Sequence, residues 1–233
     1  GDKLLGMTKV TVADMGSRPS DLLLNLSRAI DADADIAKPE GLEYLGYQKA
    51  GILYGSNVAN VLFADEPGLG KTIQSIGVMN NRNIKRALVI CPASLCFNWK
   101  NEIEKWHVHK PKVEILTSKN KKLVVKSADI LVVSYALVSR MPWVKFILEH
   151  FNYELIVLDE CHNLKNPKAK RTKYVLAQNG LQSKAKYAHC LSGTPVVNRP
   201  IELYPLIKTF GHDLIDNFTF FQYAIKYCNA FKG

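Results

Sequence analysis

The chain has 233 residues and a hydrophobic fraction of 47%, enough to bury the core of one large α/β domain or of two small ones. No run approaches the about 18 uncharged apolar residues of a membrane span, and five irregularly spaced cysteines argue against a disulfide framework, so we expect an intracellular protein. The net charge of +10 favours polyanions such as nucleic acids, although a basic surface also serves solubility.

The first 40 residues differ in composition from the rest of the chain. Residues 1–40 are polar and carry an acidic patch around DADAD at 31–35, so we expect either a flexible arm or a small helical appendage. From residue 41 onward, short runs rich in Val, Ile and Leu alternate with helical patterns, which indicates one domain over 41–233. The apolar runs predict strands buried on both faces, at 58–64, 87–91, 113–116, 130–134, 155–158 and 187–191.

The segments between these runs have the apolar spacing of helices. The predicted helices are 71–81, 94–107, 135–150, 169–179 and 199–210. Ser94 is a candidate N-cap for the second of them. Alternating strands and helices predict a three-layer α/β/α fold with a mainly parallel, doubly wound sheet. The aromatic residues of 212–233 are expected to pack in the core rather than to stack on bases.

A glycine-rich turn, DEPGLGKT at 65–72, lies between a predicted strand and a predicted helix, as a phosphate-binding loop requires. Gly68 and Gly70 let successive backbone N–H groups face phosphate oxygens, and Lys71 adds a positive charge. The strict pattern begins with glycine, whereas this chain has Asp65 there. We predict nucleotide contacts from Gly68, Leu69, Gly70, Lys71, Thr72 and Ile73.

A second candidate site is LIVLDECH at 155–162, where an apolar strand ends in two adjacent carboxylates. Asp159 is expected to hold Mg²⁺ together with the Thr72 hydroxyl, while Glu160 orients or deprotonates the attacking water. His162 either senses the γ-phosphate or is an ordinary surface histidine. A D-E pair after a strand is common in solvated turns, and it gains weight here because the phosphate loop belongs to the same predicted sheet. The predicted catalytic residues are Lys71, Asp159 and Glu160.

The third pattern is LSGTP at 191–195, where Pro195 stops another predicted strand. Small polar residues beside the DECH turn are expected to couple the nucleotide state to the grip on nucleic acid, through Ser192, Gly193 and Thr194. Alone, S-G-T-P is an ordinary turn sequence, so its weight comes from the other two patterns.

In this order, DEPGLGKT, DECH and LSGTP resemble the motifs of the Swi/Snf family of DNA translocases, in helicase superfamily two. The similarity spans roughly residues 42–210, and the family usually has methionine where this chain has Pro67. The run GYQKAGILYG at 46–55 is similar to the family's adenine-side motif, which implies that Gln48 reads the adenine edge.

Two further runs resemble motifs through which the family contacts DNA. CPASLCFNWKNEIEKW at 91–106 resembles motif Ia, which implies that Pro92, Ala93 and Ser94 face the DNA backbone. ILVVSYALV at 130–138 resembles motif Ib, which implies phosphate contacts from Ser134 and Tyr135.

The resemblance also carries expectations for the whole molecule. The runs GTPVVNRPIELY and FFQYAIKYCNAF are similar to the annealing-helicase (HARP-like) branch. The family's motor is a RecA-like P-loop NTPase with two lobes, which implies that this chain is the first lobe, monomeric and weakly active alone. ATP and Mg²⁺ are its expected cofactors, and double-stranded DNA and a second lobe its expected partners, in the nucleus if eukaryotic and in the cytoplasm or nucleoid otherwise. The open alternatives are a D-E-x-H RNA helicase, a restriction-type DNA motor and a catalytically silent nucleic-acid-binding module.

Overall fold

The structure is a computed structural model that describes residues 8–10, 29–119, 128–138, 140–193, 204–209 and 222. Its strands are β1 (Thr8–Val10), β2 (Ala29–Ala32), β3 (Asn60–Phe63), β4 (Ala87–Cys91), β5 (Val113–Leu116), β6 (Ile130–Ser134), β7 (Leu155–Asp159) and β8 (Tyr187–Leu191). Its α-helices are α1 (Gly46–Asn57), α2 (Lys71–Asn81), α3 (Cys96–Trp106), α4 (Tyr135–Val138), α5 (Pro142–His150), α6 (Lys170–Leu176) and α7 (Tyr204–Thr209). Short 3₁₀ turns lie at Ala93–Leu95, Cys161–Leu164 and Gln182–Lys184.

Six of the strands form one parallel sheet, in the order β3-β8-β7-β4-β6-β5. In β4 and β7 all five residues are buried, because both faces of the central strands are covered by other elements. Since the strands all run in one direction, their carboxyl ends lie at one edge of the sheet. At that edge β8 separates the end of β3 from the end of β7.

Helices cover both faces of this sheet and produce two apolar cores. On one face, residues of α1, α2 and α3 meet the sheet, among them the buried side chains of Ile52, Ile76 and Trp99. On the other face, α4 and α5 contribute Val138 and Leu148. The three-layer α/β/α fold with a parallel sheet, predicted from the alternation of elements, is confirmed.

The start of α3 differs from the prediction. The helix predicted at 94–107 begins at Cys96, because the chain first makes the 3₁₀ turn Ala93–Leu95. Leu95 is the N-cap residue and no side chain caps the helix by a hydrogen bond, so the prediction of Ser94 as N-cap is wrong. This turn leaves Ser94 exposed at the carboxyl edge of the sheet.

The helix predicted at 135–150 is in fact two helices, α4 and α5. Met141 has an extended backbone, and Pro142 occupies the first turn of α5, where its missing N–H costs no hydrogen bond. The helix predicted at 169–179 is the shorter α6. Within the helix predicted at 199–210, the structure describes α7. The aromatic residues of 212–233, for which core packing was predicted, lie outside the described residues.

Of residues 1–40, the structure describes 8–10 and 29–40, and these include two strands. β1 and β2 pair in parallel as a separate two-stranded sheet. Ala32 and Ile36 are buried in the same core as residues of α1. The helical alternative for residues 1–40 is therefore wrong at β1 and β2, while the division of the chain at residue 41 stays a prediction.

Candidate nucleotide-binding site

The loop between β3 and α2 has the backbone shape of a phosphate cradle. Gly68 and Gly70 adopt positive φ values of 88° and 75°, in a region that side chains disfavour. A Cβ at Gly70 would lie 2.5 Å from Nε2 of Gln48, so the close approach of these two residues also requires glycine. Gly70 is the N-cap of the 11-residue helix α2 without a side-chain cap, which leaves the first backbone N–H groups available to an anion.

Lys71 holds its ammonium group inside this loop. Its Nζ donates hydrogen bonds to the backbone carbonyl oxygens of Asp65 at 2.7 Å and of Glu66 at 2.9 Å. A Cβ at Gly193, just after β8, would lie 3.7 Å from this Nζ. The loop thus places a cation next to the third predicted motif. To bind a phosphate, Lys71 would exchange its hydrogen bonds to two backbone carbonyl oxygens for hydrogen bonds to the phosphate.

Asp65, at the position where the strict pattern has glycine, connects the start of the loop to α2 by a hydrogen bond. One of its carboxylate oxygens, Oδ2, accepts a hydrogen bond of 2.6 Å from Nε2 of Gln74. Gln74 is 1% exposed, and its Oε1 occupies the space where a Cβ at Gly51 would lie. Sequence reasoning missed Gln74, and the departure from glycine at position 65 was the available indication that a partner was needed.

Asp159, the last residue of β7, is a buried carboxylate with ordered partners. Its Oδ2 accepts a hydrogen bond of 2.8 Å from Nε1 of Trp99, and its Oδ1 accepts one of 2.9 Å from the backbone N–H of Glu160. Burial raises the pKa of the Asp159 carboxyl above its ordinary value, while the hydrogen bond from Trp99 and the charge of Lys71 oppose that rise. The hydrogen bond from Trp99 and the charge of Lys71 therefore both favour the charged form that a metal ligand needs.

Glu160 leaves the strand in a left-handed backbone conformation, with φ of 49°. Its side chain stays partly exposed, and its Oε2 lies 3.2 Å from Nδ1 of His162. His162 is more exposed than Glu160 and sits in the turn Cys161–Leu164. The predicted γ-phosphate sensor is thus in direct contact with the predicted water-activating carboxylate.

A cleft of about 310 Å³ joins the phosphate loop to the end of β7. The predicted site residues that line it are Gly68, Gly70, Lys71, Thr72, Ile73, Asp159 and Glu160. Sequence reasoning missed Leu95, Asn98 and Glu102, which also line the cleft, although their helical spacing places them on one face of the helix predicted at 94–107. The residue types suit Mg²⁺, because Thr72 and Asp159 offer hard oxygen ligands beside the cation of Lys71.

Two predicted nucleotide contacts do not line this cleft. Gln48 is 4% exposed, and its Oε1 accepts a hydrogen bond of 3.0 Å from the backbone N–H of Leu45. The side chain of Leu69 is exposed. The structure thus places Gln48 behind Gly70, against the loop, and its contact with adenine stays a prediction.

The third motif reaches the phosphate loop from the end of β8. The backbone N–H of Ser192, which is buried, donates a hydrogen bond of 3.1 Å to the carbonyl oxygen of Phe63 at the end of β3. A Cβ at Gly193 would lie 3.0 Å from the ring of Pro67, so the loop and the motif are in contact. Thr194 lies outside the described residues.

The predicted nucleic-acid contacts divide into accessible and buried residues. Ala93 and Ser94 are exposed, and Pro92 and Ser134 are half-buried at the same edge of the sheet. Tyr135 is 3% exposed and its hydroxyl is buried, because α4 starts at this residue and its ring packs into the core. Burial raises the pKa of Tyr135 well above its ordinary value. The Tyr135 hydroxyl is therefore inaccessible in this structure, and its contact with phosphate stays a prediction.

Comparison with known proteins identifies the family. The family model described as the SNF2-related domain matches residues 37–230. The chain belongs to the SNF2-related domain family. The resemblance inferred from DEPGLGKT, DECH and LSGTP is therefore confirmed.

The relatives and the structural neighbours agree with this assignment. The chain is 32% identical over 191 residues to the Caenorhabditis elegans homolog of SWI/SNF-related matrix-associated actin-dependent regulator of chromatin subfamily A-like protein 1. It is 33% identical over 191 residues to the human DNA annealing helicase and endonuclease ZRANB3. It also resembles the Sulfolobus solfataricus SWI2/SNF2 ATPase core in complex with dsDNA, with 26% identity and a TM-score of 0.69.

This SNF2-related chain matches only part of each relative. The alignments cover 80% of the chain but 26% of the C. elegans protein and 17% of human ZRANB3. The structural match covers 84% of the chain and 42% of the Sulfolobus core. Within the described residues, no helix has the length and apolar character that crossing a bilayer requires.

Proposed function

We propose that this chain is the first ATP-binding lobe of an ATP-dependent motor that moves along double-stranded DNA. The observation that carries the proposal is the single cleft that Lys71, Thr72, Asp159 and Glu160 line together. These groups come from two strand ends separated by β8, and their convergence is what binding and hydrolysis of a nucleotide require.

Each residue has a role that its surroundings support. The backbone of Gly68 and Gly70 and the ammonium group of Lys71 bind phosphate, since the loop already directs Lys71 inward. Thr72 and Asp159 hold Mg²⁺, which would neutralise phosphate charge. Glu160 orients or deprotonates the attacking water, and His162, which contacts it, relays the state of the site. Ser192 and Gly193, which follow β8, couple the nucleotide state to the binding of nucleic acid, and Thr194 is a further candidate for this role.

DNA contacts are assigned to the edge of the sheet next to the cleft. Ala93 and Ser94 are exposed there, with Pro92 and Ser134 partly accessible. The net charge of +10 is complementary to a phosphate backbone. The Sulfolobus neighbour was solved with double-stranded DNA, which favours this partner over RNA. A second lobe would complete the site. We expect the chain to be monomeric and intracellular. Without the positive charge that a second lobe supplies, the isolated chain would hydrolyse ATP slowly.

The test measures nucleotide binding by the chain itself. ATP with Mg²⁺ is expected to raise the melting temperature of the wild-type chain, because a ligand that binds only the folded state stabilises it. Lys71→Ala should abolish this rise, whereas Lys100→Ala, which removes a lysine paired with Glu104 on α3, should retain it. An unchanged affinity for ATP in Lys71→Ala would remove the assignment of the phosphate loop.

The DNA half of the proposal needs a separate measurement on a protein that contains both lobes. Competition between double-stranded DNA and single-stranded RNA of equal length, at matched salt, is expected to favour the duplex DNA. Preference for the RNA would instead support the alternative of a D-E-x-H RNA helicase.

A further inference from the structure

Trp99 connects the helix α3 to the end of β7. It is the fourth residue of α3 and is fully buried in the core between that helix and the sheet. Its indole Nε1 donates a hydrogen bond of 2.8 Å to Oδ2 of Asp159. The other carboxylate oxygen, Oδ1, accepts the backbone N–H of Glu160, so two donors fix the plane of the Asp159 carboxylate.

The turn Ala93–Leu95, in which Ala93 and Ser94 are exposed, directly precedes this helix. Within this segment, Sγ of Cys96 lies 3.6 Å from Sγ of Cys91 and 3.8 Å from the carbonyl oxygen of Pro92, which packs the turn onto the end of β4. Leu95, four residues before Trp99, lines the nucleotide cleft. The exposed turn, the wall of the cleft and the indole therefore lie on one short stretch of backbone.

We propose that Trp99 is a positioning residue, whose indole N–H orients the Asp159 carboxylate and joins the turn Ala93–Leu95 to the magnesium site. This inference rests on the proposed function, since it requires Asp159 to be a metal ligand. Groups that hydrogen-bond to metal ligands fix the direction of their lone pairs, and losing one costs about 10- to 100-fold in metal affinity or activity. A movement of the turn would displace α3, and with it the indole N–H that donates a hydrogen bond to Asp159.

The hydrogen bond is tested without nucleotide, by the indole ¹H–¹⁵N resonances of the chain's three tryptophans. Trp99→Phe assigns the Trp99 signal by its disappearance. Asp159→Asn replaces a charged acceptor with a neutral one, so it should shift the Trp99 signal strongly and leave those of Trp106 and Trp143 in place. A Trp99 signal that does not respond would overturn the inference.

The effect on magnesium is measured with a matched pair of variants. Trp99→Phe should weaken binding of ATP in the presence of Mg²⁺ by about 10-fold or more, and leave binding of ATP in EDTA unchanged. The control is Trp106→Phe, the same substitution in the same helix. Nε1 of Trp106 has no hydrogen-bond partner among the described residues, and its ring stacks on that of Tyr44 with ring centroids 5.2 Å apart. Trp106→Phe should change neither affinity, and equal effects of the two variants would contradict the inference.

The link to the turn is tested on the chain loaded with ATP and Mg²⁺. Duplex DNA added at low salt should shift the Trp99 resonance with the same midpoint as DNA binding measured by fluorescence anisotropy. DNA binding that leaves the resonance in place, or no DNA binding at all, overturns this link.

These outcomes separate the inference from the function on which it rests. If wild-type chain does not bind ATP with Mg²⁺, both fail. If it binds through Lys71 and Trp99→Phe binds equally well, the inference fails and the proposed function stands. If Trp99→Phe does not fold, Trp106→Phe and Trp143→Phe assign the Trp99 resonance by elimination. The response of that resonance in the wild-type chain to Mg²⁺ with ATP then decides, and its absence counts against the inference.

Discussion

Two strands that end at the same edge of the sheet use their polar residues in opposite ways. After β7, Glu160 lines the nucleotide cleft and keeps its side chain partly exposed. After β6, Tyr135 turns its ring into the core and buries its hydroxyl. Both residues follow an apolar strand, but Glu160 was assigned to function from that position and Tyr135 from the resemblance to motif Ib.

The backbone that follows each strand explains the difference. Glu160 has a left-handed conformation that precedes the turn Cys161–Leu164, so the chain turns at the edge of the sheet. At Tyr135 the helix α4 begins at once, and the ring packs in the core beneath it. The end of a parallel strand therefore places a residue at the functional edge without deciding whether its side chain faces the cleft or the core.

The largest expected effect follows from replacing the cleft-facing carboxylate. In a protein with both lobes, Glu160→Gln should lower the rate of ATP hydrolysis by about 100-fold or more, because the group that orients or deprotonates the water is lost. The affinity for ATP should stay within a few-fold of wild type. Steady-state hydrolysis and equilibrium nucleotide binding measure the two quantities.

The control is Glu104→Gln, which neutralises an exposed glutamate of α3 that pairs with Lys100. It should leave the hydrolysis rate unchanged. A rate for Glu160→Gln close to that of this control would show that Glu160 does not act on the water.

The sequence specified the sheet well, since apolar runs buried on both faces have few other structures available to them. The bounds of β4, β5, β6 and β8 are those of the predicted runs, and the parallel order brings Lys71 and Asp159 to one cleft as expected. The break between α4 and α5 was missed, although Pro142 marks it.

Contacts between elements were beyond the reach of local patterns. Trp99 fitted the apolar face of a helix, and its bond to Asp159 depends on how α3 packs across the sheet. The pairing of Asp65 with Gln74 likewise depends on the path of the phosphate loop. Periodicity identifies which side chains face inward, whereas their polar partners are set only by the packed structure.

The second prediction concerns His189, a polar residue buried in the middle of β8. Its Nδ1 lies 2.8 Å from Oγ of Ser75 in α2, and its ring is 1% exposed. Burial lowers the pKa of His189 to about 3. The unfolded chain binds a proton below about pH 6.5 and the folded chain does not, so this group's contribution to stability is lost as the pH falls from about 6.5 to 3.

The free energy of unfolding should therefore fall by up to about 1.4 kcal/mol per pH unit from His189 in that range. Urea denaturation between pH 7 and pH 4.5 measures the slope. His107 adds to it in the same direction, since burial also lowers its pKa. His189→Gln should reduce the slope, and His150→Gln, on the exposed end of α5, should not. Equal slopes in these two variants would contradict the burial of a neutral His189.

The smallest effect is expected at Tyr135, where the comparison between the two strand ends is sharpest. The Tyr135 hydroxyl is buried without a hydrogen-bond partner among the described residues, so Tyr135→Phe should leave the free energy of unfolding unchanged or raise it by up to about 1 kcal/mol. The matched variant is Tyr153→Phe, which removes a buried hydroxyl that donates to the carbonyl oxygen of Leu181 at 2.6 Å. It should lower the free energy of unfolding by about 1 kcal/mol or more.

Urea denaturation compares the two variants, and anisotropy with a labelled duplex measures DNA affinity. Because the Tyr135 hydroxyl faces the core, Tyr135→Phe should bind DNA as wild type does. A several-fold loss of DNA affinity in this variant, at unchanged stability, would mean that the ring leaves the core when DNA binds. In that case the end of β6 would be used in the same way as the end of β7, and only the nucleic-acid-bound state would reveal it.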